Sequence, residues 1–194
     1  MSKLAIASVH KNSSTAGLSP NNNLRTEVFL AGCSLGLRGH PCPDCFNSDL
    51  WDPQWFSQVE VEDLVDDIKR IGNPFVTIVG GEPLDQYEEL VELLDRLWIE
   101  DVHTVVITHY TMEEIKKKYP KVLDFAQCII DGPYNKSLRT FDECKRPGIY
   151  QVIGSSNQHL WYFDWDACEW TEACKTNDKE IETAYGVYEW GERV

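Results

Sequence analysis

Three of the seven cysteines in this chain lie close together in the sequence. Cys33, Cys42 and Cys45 form a C-x8-C-x2-C pattern within AGCSLGLRGHPCPDCFN, residues 31–47. Three thiolates are one fewer than the four ligands that close a structural metal site, so the pattern favours a centre with one open coordination position. A cubane iron–sulfur cluster held by three cysteines leaves one iron open in this way. A zinc site completed by His40 or by a distant cysteine is the alternative.

A second candidate site follows an apolar run further along the chain. The segment GGEP, residues 80–83, comes directly after FVTIV, residues 75–79. Two glycines at the end of a strand let a ligand approach the backbone without meeting a Cβ atom, so this turn could hold the polar end of an amino acid. An ordinary strand-to-helix turn capped by Asp85 explains the same residues, and on this segment alone that interpretation is preferred.

Alternating strands and helices must position these residues. Buried strands are predicted at residues 26–31 (TEVFLA), 75–79 (FVTIV), 102–108 (VHTVVIT) and 125–131 (FAQCIID). Capping boxes are predicted to open three helices at residues 57–60, 85–88 and 111–114. Two of these helices carry apolar faces, formed by Val61, Leu64, Val65 and Ile68 and by Leu90, Val91, Leu94 and Leu97. The alternation predicts an α/β fold with a parallel sheet of βα units and right-handed crossovers.

The candidate residues all follow predicted strands. Cys33 comes after the first strand, the GGEP segment after the second, Thr108 at the end of the third and Asp131 at the end of the fourth. Ligands of open α/β sheets bind beyond the carboxyl ends of the strands. We therefore expect these residues to meet at one edge of the sheet.

The composition limits the classes of protein to which the chain can belong. Its 194 residues carry a formal net charge of −14, and an acidic surface repels the phosphates of nucleic acids. No apolar run approaches the length of a membrane-spanning helix, and the opening MSKLAIASVHKNSS lacks the apolar region of a signal peptide. We expect a cytoplasmic protein that binds neither nucleic acid nor membrane, with cysteines that are metal ligands or free thiols.

Six segments together resemble the radical S-adenosylmethionine (SAM) superfamily. More narrowly, they resemble the activating proteins of anaerobic (class III) ribonucleoside-triphosphate reductases. In chain order they are Arg25 with TEVFLAGC, CPDCFNSDLW at 42–51, GGEPL at 80–84, THYT at 108–111, DGPY at 131–134 and GSSNQ at 154–158. The last two are the more specific, because many radical SAM enzymes share the earlier segments. The resemblance covers about residues 20–160.

The resemblance implies a reduced, partial (βα) barrel over residues 1–160, with residues 161–194 as an acidic, aromatic extension packed on that core. It implies that Cys33, Cys42 and Cys45 hold a [4Fe–4S] cluster whose open iron binds S-adenosylmethionine. The implied cofactor-binding residues are Asn47, Gly80, Gly81, Glu82, Pro83 and Thr108. The residues implied to line the entrance for a partner are Tyr134, Asn157 and Gln158.

The implied activity is the generation of a glycyl radical on a partner reductase. An external one-electron donor, such as flavodoxin or ferredoxin, reduces the cluster, which cleaves S-adenosylmethionine to a 5′-deoxyadenosyl radical. That radical removes a hydrogen atom from a glycine Cα of the reductase. Water must be excluded while this happens, because the radical would otherwise react with its surroundings.

Three features depart from the family pattern. The first cysteine spacing is C-x8-C where the family has C-x3-C, His109 stands where the family usually has glycine, and residues 141–148 are an insertion. The long spacing also occurs in enzymes that build 7-deazaguanine, so a small radical SAM enzyme acting on a small molecule stays an alternative. A non-catalytic metal-binding module is another. The GSSNQ segment could equally be a hydrogen-bonded turn that closes the last strand.

The remaining cysteines have no predicted catalytic role. Cys128 is expected to fill the core, and Cys144, Cys168 and Cys174 lie in the insertion and the extension.

Overall fold

Eight strands of the computed structural model, which describes residues 2–13, 24–140 and 153–173, form one sheet in the order β3-β1-β2-β4-β5-β6-β7-β8. The strands are β1 (Lys3–Ser13), β2 (Arg25–Leu30), β3 (Ser57–Glu60), β4 (Phe75–Gly80), β5 (His103–Ile107), β6 (Cys128–Asp131), β7 (His159–Asp164) and β8 (Glu169–Glu172). The helices are α1 (Ser34–Leu37), α2 (Val61–Ile71), α3 (Tyr87–Ile99), α4 (Met112–Lys118) and α5 (Val122–Phe125). Short 3₁₀ turns lie at Ser48–Leu50, Pro53–Trp55, Pro83–Gln86 and Lys136–Leu138.

The centre of the sheet is parallel and its two edges are antiparallel. Strands β2, β4, β5 and β6 pair in parallel, whereas β1 pairs antiparallel with both β2 and β3, and β7 pairs antiparallel with both β6 and β8. The predicted α/β class is confirmed. The prediction of a parallel sheet is correct for the four central strands and wrong for the edges.

The central strands are β-branched and buried, as their sequences predict. In β4, residues from Val76 to Gly80 are buried, and in β6 all four residues are buried. Helices α2 and α3 pack their apolar faces on the sheet, and the buried face of α3 consists of Leu90, Leu93, Leu94 and Leu97. Val91, which was predicted in that face, is half-buried at its margin.

Two of the three predicted capping boxes are wrong, because their residues interact with distant parts of the chain and do not cap the predicted helices. Residues Ser57–Glu60 form strand β3, paired with β1 from Lys3 to Ile6, and α2 begins after Glu60 without a side-chain cap. Helix α3 begins at Tyr87 after a 3₁₀ turn, with no side-chain cap from Gln86. The third box is confirmed, since the Thr111 hydroxyl and the Glu114 carboxylate cap α4 reciprocally.

The fourth predicted strand is shorter than expected. Residue Phe125 ends helix α5, and the strand runs from Cys128 to Asp131. The Asp131 carboxylate accepts a hydrogen bond from the Met112 N–H at 2.6 Å and so supports the start of α4. Cys128 is buried, as predicted, and burial raises the pKa of its thiol.

The expected boundary at residue 160 falls inside strand β7. The extension is part of the same sheet as far as strand β8, and Ala173 is buried. The insertion at 141–148, together with Cys144 and Cys174, lies outside the described residues, so the division into core and extension stays a prediction. In the described ranges, no helix is both long and apolar enough to cross a membrane.

Candidate functional site

The carboxyl ends of the parallel strands open into a cavity of about 450 Å³. As expected, the loops that follow β2, β4, β5 and β6 meet there. Ten of the predicted site residues line it: Cys33, Cys42, Cys45, Asn47, Gly80, Gly81, Glu82, Thr108, Tyr134 and Gln158. The lining does not include Pro83 or Asn157. The volume lies in the range of pockets that enclose small molecules and cofactors.

The cysteine loop begins with one helical turn. Helix α1 follows Cys33 directly, with hydrogen bonds from the Leu37 N–H to the Cys33 carbonyl at 3.0 Å and from the Arg38 N–H to the Ser34 carbonyl at 3.1 Å. The Cys33 N–H donates to the carbonyl of Trp51 at 2.9 Å, which joins the two ends of the loop. This turn lies within the lengthened first cysteine spacing.

All three clustered cysteines are half-buried free thiols. Burial raises the pKa of the Cys33 and Cys42 thiols, and the nearby Glu82 carboxylate raises both further. Among the described residues, no three His, Cys, Asp or Glu side chains converge closely enough to hold a single metal ion. A cubane cluster does not need three ligands that converge on one point, because each of its thiolates binds a different iron.

The two glycines of the GGEP segment are required by contacts between strand ends. A Cβ atom on Gly80 would lie 2.2 Å from the Leu30 carbonyl oxygen, and one on Gly81 would lie 2.0 Å from the Gly32 oxygen. The Gly81 N–H donates to the Leu30 oxygen at 2.8 Å, and the Glu82 N–H donates to the Gly32 oxygen at 2.7 Å. The N–H groups of Gly81 and Glu82 are therefore used within the protein, where they hold the Cys33 loop against β4.

Two side chains strengthen the same junction. The Asn47 amide donates from Nδ2 to the Gly80 carbonyl at 2.7 Å. Asp85 accepts from the Ser34 N–H at 2.5 Å and from the Ser34 hydroxyl at 3.0 Å. Asp85 therefore caps α1 in the cysteine loop, instead of α3 as predicted.

The Glu82 carboxylate is buried, with a relative exposure of 1%, and it accepts four hydrogen bonds. Oε1 accepts from the Leu84 N–H at 2.9 Å and from the Thr108 hydroxyl at 2.7 Å. Oε2 accepts from the His109 N–H at 2.9 Å and lies 2.5 Å from His109 Nδ1. Both side chains that contact this carboxylate also line the cavity.

His109 is a polar cavity residue to which sequence reasoning assigned no role. Its ring lies tilted against the Tyr110 ring, with centroids 4.2 Å apart, and its side chain is 12% exposed. Burial of the ring opposes protonation, but the hydrogen bond and charge of Glu82 together raise the pKa of His109 above its ordinary value. The signal in the sequence was the histidine in place of glycine in the THYT segment.

Another part of the cavity rim is aromatic. The rings of Phe46 and Tyr134 lie 4.9 Å apart, and the Arg139 guanidinium lies 5.3 Å from the centroid of the Phe46 ring. Phe46 is exposed, whereas Tyr134 is half-buried.

The GSSNQ segment forms a hydrogen-bonded turn. The Gln158 amide accepts from the Gly154 N–H at 2.9 Å and donates to the Gly132 carbonyl at 3.0 Å, while Asn157 donates to the Pro133 carbonyl at 2.8 Å. Gln158 thus combines a structural role with a place in the cavity wall.

Comparison with known proteins identifies related sequences. The family model described as "4Fe-4S single cluster domain" matches residues 22–161. The chain is 29% identical over 146 residues to an anaerobic ribonucleoside-triphosphate reductase-activating protein of Enterobacteria phage T4, an alignment that covers 71% of this chain and 83% of that protein. It is 32% identical to a pyruvate formate-lyase-activating enzyme of Clostridium pasteurianum, over 66% of this chain and 57% of that protein. A 7-carboxy-7-deazaguanine synthase of Hyperthermus butylicus is 39% identical over 70 residues, which are 36% of this chain and 28% of that protein.

Proposed function

We propose that this chain, which belongs to the 4Fe-4S single cluster domain family, is a radical SAM activating enzyme that generates a glycyl radical on an anaerobic ribonucleotide reductase. The observation that carries the proposal is that three free thiols and the residues Gly80, Gly81 and Glu82 line one cavity. The phage T4 relative named for this activity aligns with most of its own length.

The residues of the cavity fit a thiolate-bound cluster by their chemistry. Cys33, Cys42 and Cys45 would hold it, because thiolates are the ligands that iron–sulfur clusters take from proteins. All three side chains reach the same cavity and none is used in a disulfide. When bound, the reduced cluster supplies the electron that cleaves S-adenosylmethionine, and the cofactor supplies the radical that removes the glycine hydrogen.

Other residues of this chain would shape the site and keep it dry. Phe29, Val79, Ile107 and Ile130 give the inner wall an apolar surface that excludes water from the reaction. Asn47 fixes the Gly80 carbonyl, and Thr108 fixes the carboxylate of Glu82, so the polar groups of this wall are oriented before a ligand arrives.

The partner's glycine would enter at the aromatic rim. Phe46 and Tyr134 stand beside the cavity, and the exposure of Phe46 suits a surface that a second protein covers. In this proposal the sheet is the partial (βα) barrel of radical SAM enzymes, which the four parallel central strands support. The partners would be a cytoplasmic glycyl radical reductase and an external one-electron donor such as flavodoxin or ferredoxin.

The direct test is electron paramagnetic resonance of a reconstituted mixture. The protein is loaded anaerobically with iron and sulfide, then mixed with S-adenosylmethionine, a reductant and a class III reductase. We expect the doublet of a glycyl radical on the reductase, and its loss when the substrate glycine is replaced by alanine. Release of 5′-deoxyadenosine without that doublet would contradict the proposed partner.

A second candidate is a small radical SAM enzyme related to 7-carboxy-7-deazaguanine synthase. The observations that favour it are the long C-x8-C spacing and the local identity with the Hyperthermus butylicus enzyme. The discriminating assay adds a pterin-type substrate in place of the reductase. Deoxyadenosine release that depends on this substrate would favour the second candidate.

A further inference from the structure

One imidazole nitrogen of His109 is held by a carboxylate, while the ring borders the cavity. Nδ1 lies 2.5 Å from Glu82 Oε2, and the backbone N–H of His109 donates to the same oxygen. No hydrogen bond to Nε2 is present among the described residues, although the side chain is only 12% exposed and lines the cavity. The residue therefore offers the cavity a polar atom whose orientation is already fixed.

The Glu82 carboxylate, by contrast, has no acceptor position left for a hydrogen bond to a ligand. A carboxylate has about four lone-pair positions, and its four partners here are two backbone N–H groups, the Thr108 hydroxyl and the His109 ring. A direct bond from Glu82 to a ligand would have to break one of these buried contacts, which leaves a polar group unsatisfied. The expected role of Glu82 as a direct cofactor contact is thus in conflict with its surroundings.

We propose that His109, positioned by Glu82, is the residue that contacts the bound ligand at this wall, with Nε2–H donating to an oxygen of S-adenosylmethionine. The inference rests on the proposed function and deepens it. The acceptor is a carboxylate or hydroxyl oxygen, the oxygen types that this cofactor carries. Glu82 acts through the ring, and is a positioning residue.

Whether Nε2 of His109 carries a proton to donate should depend on pH. With Nδ1–H directed to Glu82, Nε2 carries a proton only in the imidazolium form, which the carboxylate stabilises. The charged groups around the ring are the carboxylates of Glu82, Asp85 and Glu114, and the Lys118 ammonium lies 5.4 Å from the centroid of the Tyr110 ring that contacts His109. The carboxylates favour the imidazolium and outnumber the ammonium.

The test measures binding of S-adenosylhomocysteine by calorimetry to the full, anaerobically reconstituted protein. This thioether has the same carboxylate and ribose as S-adenosylmethionine, is not cleaved, and lacks the sulfonium charge that an imidazolium would repel. We expect the wild-type Kd to rise about tenfold between about pH 6 and pH 9, as the donor is lost. His109→Gln, whose amide donor does not titrate, should bind with a Kd that is constant over this range.

Two further variants complete the design. His109→Gly, which restores the family's residue, should bind about tenfold more weakly at low pH and show no pH dependence. His159→Gln is the matched control, because His159 also contacts a buried carboxylate, Asp131 at 2.9 Å, but does not line the cavity. It should retain the wild-type profile.

The outcomes separate the two proposals. A wild-type Kd that is constant with pH, or an unchanged profile in both His109 variants, would overturn the role of His109 and leave the proposed function standing. If the cluster-loaded wild type binds neither S-adenosylmethionine nor S-adenosylhomocysteine at any pH, both proposals fail.

Discussion

Replacing Gly81 by alanine should separate the cysteine loop from the strand that supports it. The added Cβ would lie 2.0 Å from the Gly32 oxygen and 2.7 Å from the Gly32 carbonyl carbon, and both are backbone atoms. The loop must move away, which weakens the hydrogen bonds at 2.8 Å and 2.7 Å that join the two segments. Overpacking costs about 1–3 kcal/mol and each hydrogen bond about 0.5–1.5 kcal/mol, so we expect a loss of about 2–6 kcal/mol.

The assay is urea unfolding of the cluster-free protein, followed by iron analysis after anaerobic reconstitution. Gly72→Ala is the matched control, because a Cβ there meets no atom within 4 Å and only the backbone φ of +75° is unfavourable. The control should lose about 1–2 kcal/mol and bind iron normally. Gly81→Ala with wild-type stability and iron content would refute the contact between Gly81 and the cysteine loop.

The other predictions concern side chains of the same junction. Asp85→Asn should lower both the melting temperature and the iron bound per chain, because Ser34 loses a charged acceptor; unchanged iron content would contradict the positioning of the loop. Asn47→Ala should cost about 1 kcal/mol in urea unfolding, since its bond to the Gly80 carbonyl is lost. The raised pKa of His109 predicts a stability contribution, relative to His109→Gln, that is complete below about pH 6.5 and lost as the pH rises through the folded pKa. A stability difference constant with pH would contradict that linkage.

The central strands and helices could be predicted because their signals are local. The β-branched run at residues 75–79 and the helical spacing of Val61, Leu64, Val65 and Ile68 are visible without knowledge of the fold. Edge strands are different. Three of the four residues Ser57–Glu60 are polar and the segment is partly exposed, so only pairing with β1 makes it a strand. The same four residues match a capping box, which shows how a short local pattern loses to a tertiary contact.

The candidate site likewise has features that could be predicted from the sequence and features that could not. The cysteine spacing and the position of residues after strands indicated which loops would meet. The reasons for the glycines could not be predicted, because the close approach of Gly81 to Gly32 exists only in the folded sheet. Likewise the pairing of His109 with Glu82 joins loops after different strands, and a departure from the family's glycine was its only trace in the sequence.

The central claim is that Cys33, Cys42 and Cys45 together hold one [4Fe–4S] cluster. It is tested most directly by iron and sulfide analysis of the anaerobically reconstituted protein and of the three single Cys→Ser variants, with Cys128→Ser as the control. We predict about four iron and four sulfide ions per wild-type chain, a large loss in each of the three variants and none in the control. One zinc per chain, or full cluster content in any one of the three variants, would contradict the account.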